Sequence, residues 1–474
     1  MVFSSMVFLF RFLPLFLILY FAIGKEYRNF VILLGSLIFY AYGEPIYVFL
    51  MILTLFVNYK IARKIYRLHV KEKRSGMDMN YERKKFLKIA LFYDFGMLFI
   101  FKYLGFFVSI IDLPLNDLIP VPKIALPLGI SFYTFQVASY MIDVYRGKHS
   151  VKENTALDFC TYVAMFPQLI AGPIVNYSEV KAALRERKVN PVRIEYGVSI
   201  FILGLAYKVL LADKIGSLWK DVITIGPYGI NMPTAWLGSW GFSMQLFFDF
   251  FGYSLMAIGL GHIMGFSFPS NFEDPYISKS ATEFWRRWHI TLGRWFREYV
   301  YIPLGGNRCS KKKWVFNIFL VWFLTGLWHG ANWNFIIWGL MFFVILMIEK
   351  LFFIKKLEKS KVIGHIYMLI LIPVSWTVFN ITELKTLGAY LKVMFFIPLE
   401  GAVKARAMER FWSLFGTYWW LLLICAFCCL PWPVRWIKKY YKTWPAKIIL
   451  LGLFWFVIYE LALSGSGDFL YFRF

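Results

Sequence analysis

Long apolar runs recur from one end of the sequence to the other, and this pattern limits the possible fold more than any other feature. A helix needs about 20 apolar residues to cross the roughly 30 Å of bilayer hydrocarbon. By that measure the sequence predicts roughly 11 to 13 membrane segments. They lie near residues 7–23, 29–42, 47–65, 86–111, 125–144, 159–175, 196–211, 234–266, 314–327, 333–348, 364–378, 418–430 and 448–463.

Composition and loop length indicate one all-α membrane domain. Hydrophobic residues make up 59% of the chain and charged residues 17%, whereas a soluble domain carries about a quarter charged residues. The mean hydropathy is +0.58. Loops are short and no repeat is visible, so we expect a single polytopic domain over residues 1–474, with core motifs in 126–349 and C-terminal spans in 361–474. The first run lacks a basic leader and a cleavage site, which predicts a retained span.

Positive charge is concentrated in a few loops. The formal net charge is +24, and basic residues are densest from Lys60 to Lys88, a stretch that we expect to be cytoplasmic. Such clusters are typical of topology signals and of contact with anionic membrane lipids, and docking of an acidic cytosolic donor is the alternative. No nucleic-acid binding is expected because these residues flank membrane segments. The five cysteines lack metal-site spacing, so no metal site is predicted.

The run FWRRWHITLGRWFREYVYIPLGGNR, which begins at Phe284, separates into an aromatic face and an arginine face on a helical wheel. This pattern predicts one helix lying in the membrane interface. His289 falls at the edge of the aromatic face, where partial desolvation favours a neutral imidazole. A core histidine satisfied by a backbone carbonyl is the alternative. The aromatic face comprises Trp285, Trp288, Leu292, Trp295, Phe296 and Tyr299, and the opposite face Arg286, Arg287, Arg294 and Arg297.

His329 lies between two apolar runs, at predicted membrane depth. A lone ionisable side chain is costly there unless it is paired or neutral, so it tends to mark a site. One straight helix over residues 314–348 would be about 50 Å long, too long for the membrane, which predicts a break. His329 would then lie in a cavity between Trp328 and Trp333, unless these residues only pack helices. The expected break residues are Gly326, Gly330, Asn332 and Asn334.

Four separated motifs carry a resemblance to a known family. They are LPLGISFYTFQVASYMIDVYRG from Leu126, FPQLIAGPI from Phe166, NFEDPYISKSATEFWRRWHITLGRWFREYVYIPLGGNR from Asn271 and LTGLWHGANWNFIIWG from Leu324. In this order they resemble the membrane-bound O-acyltransferase family, and most closely its branch of alginate O-acetylation membrane subunits. The teichoic-acid D-alanylation membrane subunit is a more distant relative. Matching blocks extend over essentially the whole chain.

The resemblance implies a ring of tilted helices around a central tunnel, with interfacial and re-entrant helices, in a bacterial plasma membrane. It implies transfer of an acyl group from a cytosolic thioester, either acetyl-CoA or an acyl-carrier protein, with no bound cofactor. The acceptor would be a hydroxyl of an extracellular polysaccharide, or a secreted or periplasmic acyltransferase partner that passes the group on. By motif position, His329 corresponds to the principal catalytic histidine and His289 to the second signature polar residue.

The chemistry of the expected reaction needs a base. An alcohol attacks a thioester slowly, and a positioned base that takes its proton contributes about 10²- to 10⁴-fold. His329 is the candidate base, and the oxyanion donors considered are His289, the Asn332 amide and the Trp328 indole. No nucleophile elbow or Cys/His couple is present, which favours direct transfer, although an acyl-histidine stays open. Residues expected to line the substrate path are Asp249, Tyr253, Ser254, Trp285, Arg286, Arg287, Trp288, Trp328 and Asn332.

One motif departs from the branch pattern. The chain reads FFDFFGYSLMAIG from Phe247, where relatives usually read YFDFSGYSDMAIG, so Phe251 replaces a hydroxyl and Leu255 a carboxylate. This puts alginate itself in doubt as the acceptor. Three alternatives stay open: D-alanyl transfer to teichoic acid from a carrier-protein thioester, a scaffold that recruits an external acetyltransferase, and a transporter or flippase of envelope sugar precursors. A transporter would use Asp94, Asp143 and Asp249 as proton relays.

Overall fold

The fold is helical throughout the part of the chain that the computed structural model describes, which is residues 1–112, 120–122, 124–149, 151, 155–396, 401–465, 467 and 469–470. No β-strand occurs in these residues, and one isolated antiparallel bridge joins Phe272 to Trp288. The α-helices are α1 (Leu13–Ala22), α2 (Arg28–Gly43), α3 (Tyr47–Ser75), α4 (Asn80–Leu98), α5 (Leu104–Asp112), α6 (Ile130–Tyr145), α7 (Ala156–Ala164), α8 (Phe166–Leu169), α9 (Tyr177–Arg185), α10 (Pro191–Ala206), α11 (Asp213–Ile225), α12 (Met232–Met264), α13 (Ala281–Arg287), α14 (Ile290–Phe296), α15 (Lys311–His329), α16 (Trp333–Ile348), α17 (Ile354–Lys359), α18 (Lys361–Asn380), α19 (Leu384–Phe395), α20 (Gly401–Cys428), α21 (Trp432–Tyr440) and α22 (Trp444–Ser464).

Short π-helical and 3-10 segments join or extend several of these helices. The π-helical segments are Phe8–Phe12, Phe99–Tyr103, Tyr207–Ala212, Arg297–Tyr301 and Glu349–Phe353, and the 3-10 segments are Lys25–Tyr27, Pro227–Gly229 and Pro275–Ile277. Because the π-helical segments continue an α-helix on one or both sides, several helices together reach membrane-spanning length.

Seven helices in the described residues are long and apolar enough to cross a membrane. They are Asn80–Asp112, Pro191–Ile225, Met232–Met264, Trp333–Lys359, Val362–Asn380, Ala405–Cys428 and Trp444–Ser464, with Phe8–Ala22 as a shorter apolar helix. Four other predicted segments correspond to α2, α3, α6 and α15, which fall short of that length or hydropathy. The prediction of an all-α integral membrane protein is confirmed.

The segment predicted near residues 159–175 does not form one span. Helix α7 ends at Ala164, α8 covers only Phe166–Leu169, and the following residues are not helical. A Cβ on Gly172 would lie 2.5 Å from both Gln168 Cα and the Pro167 carbonyl oxygen, so the chain doubles back too tightly for a continuing helix. The run is apolar because it is buried in protein, since Phe159, Phe166 and their neighbours are almost fully enclosed.

Contacts divide the chain into two compact units. The first comprises Met1–Val198 and Ala257–Pro269, and the second comprises Ser199–Met256 and Ser270–Phe474. In the first unit, Tyr20 Oη donates to the Met264 carbonyl at 2.6 Å, and Asn29 Nδ2 donates to Asp158 Oδ1 at 2.8 Å. These buried polar contacts join segments that are distant in sequence, as a packed membrane core requires. The single-domain organisation stays a prediction.

The second unit contains every residue that the sequence analysis placed in the reaction. Its helices α10 and α12 approach closely because both carry glycine at the crossing, where a Cβ on Gly204 would lie 2.5 Å from the Gly252 carbonyl oxygen. Small residues allow such close approach of membrane helices. One turn beyond Gly204, the approach brings Lys208 against Asp249.

Candidate active site

His329 is the last residue of α15, immediately before a break in the helical path. Residues 330–332 are extended or bent, and α16 begins at Trp333, so the predicted break is confirmed. The two helices then pack tightly, because a Cβ on Gly326 would lie 2.4 Å from the Phe335 carbonyl oxygen and 3.3 Å from Gly339 Cα. This close packing holds the end of α15, and therefore His329, against α16.

Aromatic rings enclose the His329 imidazole. Its ring centroid lies 5.2 Å from that of Trp338, 5.0 Å from that of Phe379 and 4.9 Å from that of Trp328. His329 is 6% exposed, so a water-sized molecule still reaches part of the residue. Trp333 is 45% exposed, and its place beside His329 stays a prediction. The ring of Trp338 comes from α16 and that of Phe379 from α18.

His289 joins two short helices where one continuous helix was expected. Helix α13 ends at Arg287 and α14 begins at Ile290, and His289 between them has a φ of 47°. A left-handed conformation is uncommon for histidine and is held by its surroundings. The backbone of this link pairs with a distant segment, since Ile290 N–H donates to the Asn271 carbonyl at 3.0 Å. The predicted single interfacial helix is thus wrong, because tertiary hydrogen bonds replace the helical ones at this point.

Asn271 sets the tautomer of His289. Asn271 Oδ1 accepts the Thr291 hydroxyl at 2.9 Å and lies 3.1 Å from His289 Nδ1. An oxygen that already accepts from Thr291 is an acceptor for the imidazole as well, so Nδ1 carries the proton and Nε2 carries the lone pair. His289 is 2% exposed. It lies outside the seven candidate membrane helices, and its burial lowers its pKa to about 3. The imidazole is therefore neutral and presents Nε2 as a proton acceptor.

The two histidines share a wall formed by Trp328. The Trp328 ring lies 5.9 Å from that of His289 and 4.9 Å from that of His329, measured between centroids. Phe250 closes another side of His289, with its ring centroid 4.8 Å away. Both predicted catalytic histidines consequently belong to one continuous aromatic cluster.

Two further predicted residues, Trp285 and Trp288, belong to this cluster. Trp285 lies 5.5 Å from Trp338, and Trp288 lies 4.8 Å from Trp376, between ring centroids. Helix α13 is fixed there by Glu349, whose carboxylate accepts the Ala281 N–H at 2.6 Å. The tryptophan face of the sequence pattern is therefore the face that packs toward the histidines.

Arg286 and Arg287 lie elsewhere. They line a separate cavity of about 430 Å³ together with the carboxylates of Glu273, Glu283 and Glu358. Arg287 pairs with Glu283 at 2.9 Å, and Arg286 is exposed. The structure does not bring these arginines to the histidines. Asn332 is the half-exposed residue before α16, and its side chain makes no capping hydrogen bond there.

Asp249, Tyr253 and Ser254 lie on the buried part of α12. The Asp249 carboxylate is 2.7 Å from Lys208 Nζ and accepts the Leu470 N–H at 2.7 Å. Tyr253 stacks on Phe469 at 4.7 Å between centroids. These contacts give Asp249 and Tyr253 a structural role, holding Leu470 and Phe469 against α12, beside the Phe250 that contacts His289.

Sequence reasoning missed several residues of the site. Asn271, Trp338 and Trp376 all contact the histidines or their neighbours, and the first two lie inside the quoted motifs. The signal for Asn271 was the polar start of the NFEDPY motif. Nothing in the sequence pattern indicated Trp376, because its contribution depends on how α18 packs.

Comparison with known proteins identifies a family and several relatives. The membrane-bound O-acyltransferase family matches residues 145–354. The chain is 40% identical over 403 residues to the probable alginate O-acetylase AlgI of Pseudomonas syringae, covering 83% of this chain and 75% of that protein. It is 32% identical over 429 residues to the peptidoglycan O-acetyltransferase of Helicobacter pylori, covering 83% and 80%.

A more distant similarity covers half of the chain. The teichoic acid D-alanyltransferase of Bacillus subtilis is 34% identical over 251 residues, which are 49% of this chain and 61% of that protein. The family match over residues 145–354 includes both His289 and His329. The chain therefore belongs to the membrane-bound O-acyltransferase family and is a multi-pass membrane O-acyltransferase.

Proposed function

We propose that the protein transfers an acetyl group from a cytosolic thioester to a hydroxyl on the far side of the membrane. The acceptor is a cell-envelope polysaccharide, or a secreted or periplasmic partner that passes the group on. Two relatives that align with 83% of the chain are named for O-acetylation, of alginate and of peptidoglycan. The observation that carries the proposal is the pair of buried histidines on either side of Trp328.

In the proposed reaction His329 is the general base. The acceptor hydroxyl oxygen attacks the thioester carbonyl carbon while His329 takes the hydroxyl proton. The tetrahedral intermediate then expels the thiolate, the C–S bond breaks, and the proton passes from His329 to the sulfur. Atoms and charge balance without a metal or a redox partner. The donor, either acetyl-CoA or an acetylated carrier protein, is consumed as a substrate.

The tautomer of His289 limits its role in that reaction. Its Nδ1 proton is committed to Asn271 Oδ1, so the Nε2 lone pair faces any ligand as an acceptor. A neutral imidazole in this state suits accepting a hydrogen bond from a neighbouring hydroxyl of the acceptor, because the attacking hydroxyl gives its single proton to His329. It does not suit stabilising an oxyanion, which needs a donor. The Trp328 indole and the Asn332 amide are the remaining candidates for that donor.

The transporter alternative finds little support in the surroundings of its three carboxylates. Asp94 accepts from Asn58 at 2.7 Å, Asp143 lies 3.0 Å from Lys148, and Asp249 lies 2.7 Å from Lys208. Each carboxylate has its own polar neighbour, as expected of structural buried charges. The D-alanyl alternative rests on relatives that match 49% of the chain.

Replacement of His329 by alanine tests the proposal. Cells with His329→Ala should still export their polymer, but its acetyl groups should be lost, as measured by mass spectrometry of the extracellular material. His365→Ala is the matched control, because this half-buried histidine interacts with the Ile277 carbonyl outside the aromatic cluster. Loss of the polymer itself would favour a transporter, and an alanyl mass on the wild-type polymer would favour D-alanyl transfer.

Direct transfer has its own test. Wild-type protein incubated with labelled acetyl donor and no acceptor should carry no label after denaturation. A labelled peptide that contains His329 or His289 would establish an acyl-histidine intermediate and contradict direct transfer.

A further inference from the structure

Glu349 is a buried carboxylate in the helix that begins beside His329. Helix α16 continues without a break through the π-helical segment Glu349–Phe353, so that one long helix covers Trp333–Lys359. Glu349 is 2% exposed. A carboxylate buried in a membrane protein is costly unless its oxygens accept hydrogen bonds, so the partners of this side chain indicate its role.

The Glu349 carboxylate accepts three hydrogen bonds from the first turn of α13. Its Oε1 accepts the Ala281 N–H at 2.6 Å, and its Oε2 accepts the Thr282 N–H at 2.9 Å and the Thr282 hydroxyl at 2.7 Å. The first N–H groups of a helix have no partner within it, and a carboxylate is a strong acceptor for them. Within the described part of the chain, no other hydrogen bond joins α13 to the long helix.

Ring contacts place α13 alongside the long helix, running in the opposite direction. Trp285, in the middle of α13, lies 4.9 Å from Phe342 and 5.5 Å from Trp338 between ring centroids. As the chain runs from Ala281 to Trp285, its contacts on the long helix therefore move from Glu349 back toward the start of α16. The end of α13 consequently lies nearest the part of the long helix that contacts His329.

The long helix also supports His329. Trp338 packs on the His329 ring at 5.2 Å between centroids, and a Cβ on Gly339 would lie 2.5 Å from the Trp322 carbonyl oxygen of α15. Helix α13, for its part, leads directly into His289. Both histidines are therefore attached to one helix, His329 through α15 and His289 through α13.

The contacts of Glu349 differ in kind from the ring contacts. Dispersion contacts between rings are individually weak and change little when one ring slides past another. A hydrogen bond weakens steeply once its distance or angle departs from the ideal. The three directional contacts at Glu349 consequently determine how far α13 extends along the long helix, and therefore where His289 lies.

We propose that Glu349 is a positioning residue that sets the separation of His289 from His329. The inference rests on the proposed function, in which His289 accepts a hydrogen bond from the acceptor and His329 takes the attacking proton. Glu349 contacts no reacting atom and acts through α13. A shift of α13 would move one imidazole relative to the other, and a misplacement of about 1 Å can lower a rate about 100-fold.

Glu349→Gln tests the inference in acetyl transfer by the full-length protein in phosphatidylcholine nanodiscs. Glutamine has the same size, but its NH₂ group would face an N–H or O–H donor where the carboxylate offers an acceptor. We expect kcat to fall about 100-fold, with little change in KM for the donor. Glu383→Gln is the matched control, because Glu383 is an exposed carboxylate that accepts the Thr386 hydroxyl at 2.7 Å.

A milder pair of variants keeps the inference testable if Glu349→Gln does not fold. Thr282→Val keeps the shape of the side chain and removes one of the three hydrogen bonds to Glu349, so kcat should fall by a smaller factor. Thr282→Ser keeps the hydroxyl and should retain the wild-type kcat. Equal kcat values in these two variants would overturn the inference.

A double-mutant cycle shows whether Glu349 acts through His289. In the His289→Ala background the position of that imidazole no longer matters, so Glu349→Gln should lower the residual rate by less than about twofold. A loss as large as the one in the wild-type background would indicate a general structural effect and contradict the positioning role.

The structure of Glu349→Gln, determined by cryo-electron microscopy in the same nanodiscs, separates this inference from the proposed function. The first turn of α13 should move away from residue 349, and the distance between the two imidazoles should change, whichever acyl group the protein transfers. Unmoved imidazoles would overturn the positioning role and leave the proposed function standing. Displaced imidazoles, in a protein whose wild type transfers no acetyl group, would do the reverse.

Discussion

At the scale of single residues, the site depends on which atoms of its two histidines are available. Asn271 Oδ1 accepts from Thr291 and so holds His289 as the Nδ1–H tautomer. Burial keeps that imidazole neutral by lowering its pKa to about 3. His329 lies one aromatic ring away across Trp328. His289, a proton acceptor, and His329, the candidate base, thus lie on either side of the Trp328 indole.

Replacing Asn271 should change the pH dependence of acyl transfer. In Asn271→Asp the acceptor oxygen remains, but the new negative charge raises the pKa of His289. Since the neutral imidazole is the active form, the acid limb of the pH–rate profile should move to higher pH, while the alkaline rate stays near wild type. Asn271→Leu should lower kcat about 10- to 100-fold at every pH, because the tautomer is no longer held.

Thr291→Val is the control for the Asn271 variants. It removes one hydrogen bond to Asn271 Oδ1 and leaves the His289 contact in place. Its pH–rate profile should therefore match that of the wild type. An unshifted acid limb in Asn271→Asp would contradict the assignment of neutral His289 as the active form.

Burial of neutral His289 should also make stability depend on pH. The pKa is near 6.5 in the unfolded chain and about 3 in the folded protein, so the unfolded state binds the extra proton between these values. The folding stability from this residue is complete above pH 6.5 and falls as the pH drops, by about 1.4 kcal/mol per pH unit. Thermal unfolding of solubilised wild type and His289→Gln should show a smaller acid-induced loss in the variant. Equal slopes would contradict the prediction.

At the scale of helices, the decisive feature is the α15–α16 hairpin. Its break at residues 330–332 ends α15 at His329, and the chain then returns so that Trp338 of α16 packs on the imidazole. Gly326 and Gly339 allow this return, because a side chain at either would meet backbone atoms of the other helix. The separation of the two helices consequently determines the space around His329.

Gly326→Ala should widen this hairpin. The added methyl would lie 2.4 Å from the Phe335 carbonyl oxygen, and backbone atoms must move to admit it, at a cost of about 1 to 3 kcal/mol. Both the unfolding temperature and kcat should fall. Gly388→Ala is the control, since a Cβ there meets no atom within 4 Å and alanine favours the helix. A Gly326→Ala enzyme with normal kcat would show that the helix separation is not critical.

At the scale of the whole molecule, a buried charge cluster joins segments that lie far apart in the sequence. Lys208 Nζ is 2.7 Å from both Asp213 Oδ1 and Asp249 Oδ1. The two carboxylates also accept backbone N–H groups of Gly467 and Leu470. Through Phe469, which stacks on Tyr253, this cluster supports the part of α12 that contacts His289.

Removing the lysine should destabilise the fold more than removing either carboxylate's charge. Lys208→Met leaves the buried Asp249 and the half-buried Asp213 without their counter-charge and should cost about 3 to 5 kcal/mol. Addition of Asp213→Asn and Asp249→Asn should recover part of the loss in unfolding temperature. Lys214→Ala, which breaks the pair of exposed Lys214 with half-buried Glu460, should cost at most about 1 kcal/mol. An unchanged unfolding temperature in Lys208→Met would refute the structural role of the cluster.

Much of this architecture follows from local sequence. Bilayer thickness sets the length of an apolar run, and backbone groups in lipid must be satisfied within a helix, so hydropathy alone predicts an all-α membrane protein. The break beside His329 was predictable in the same way, because the 314–348 run is too long for one span and holds Gly330 and Asn332 at its centre. Motif resemblance identified both histidines.

Other features depended on contacts between distant segments, which no local pattern records. The left-handed His289 replaces a predicted continuous helix because Asn271, far from it in the chain, supplies hydrogen bonds that outweigh the helical ones. Arg286 and Arg287 line a separate cavity, where Arg287 pairs with Glu283. Hydropathy and the spacing of apolar residues are properties of residues that are neighbours in the sequence. They determine which segments form helices. Hydrogen bonds and ring packing need partners in three dimensions, and only the folded chain decides those.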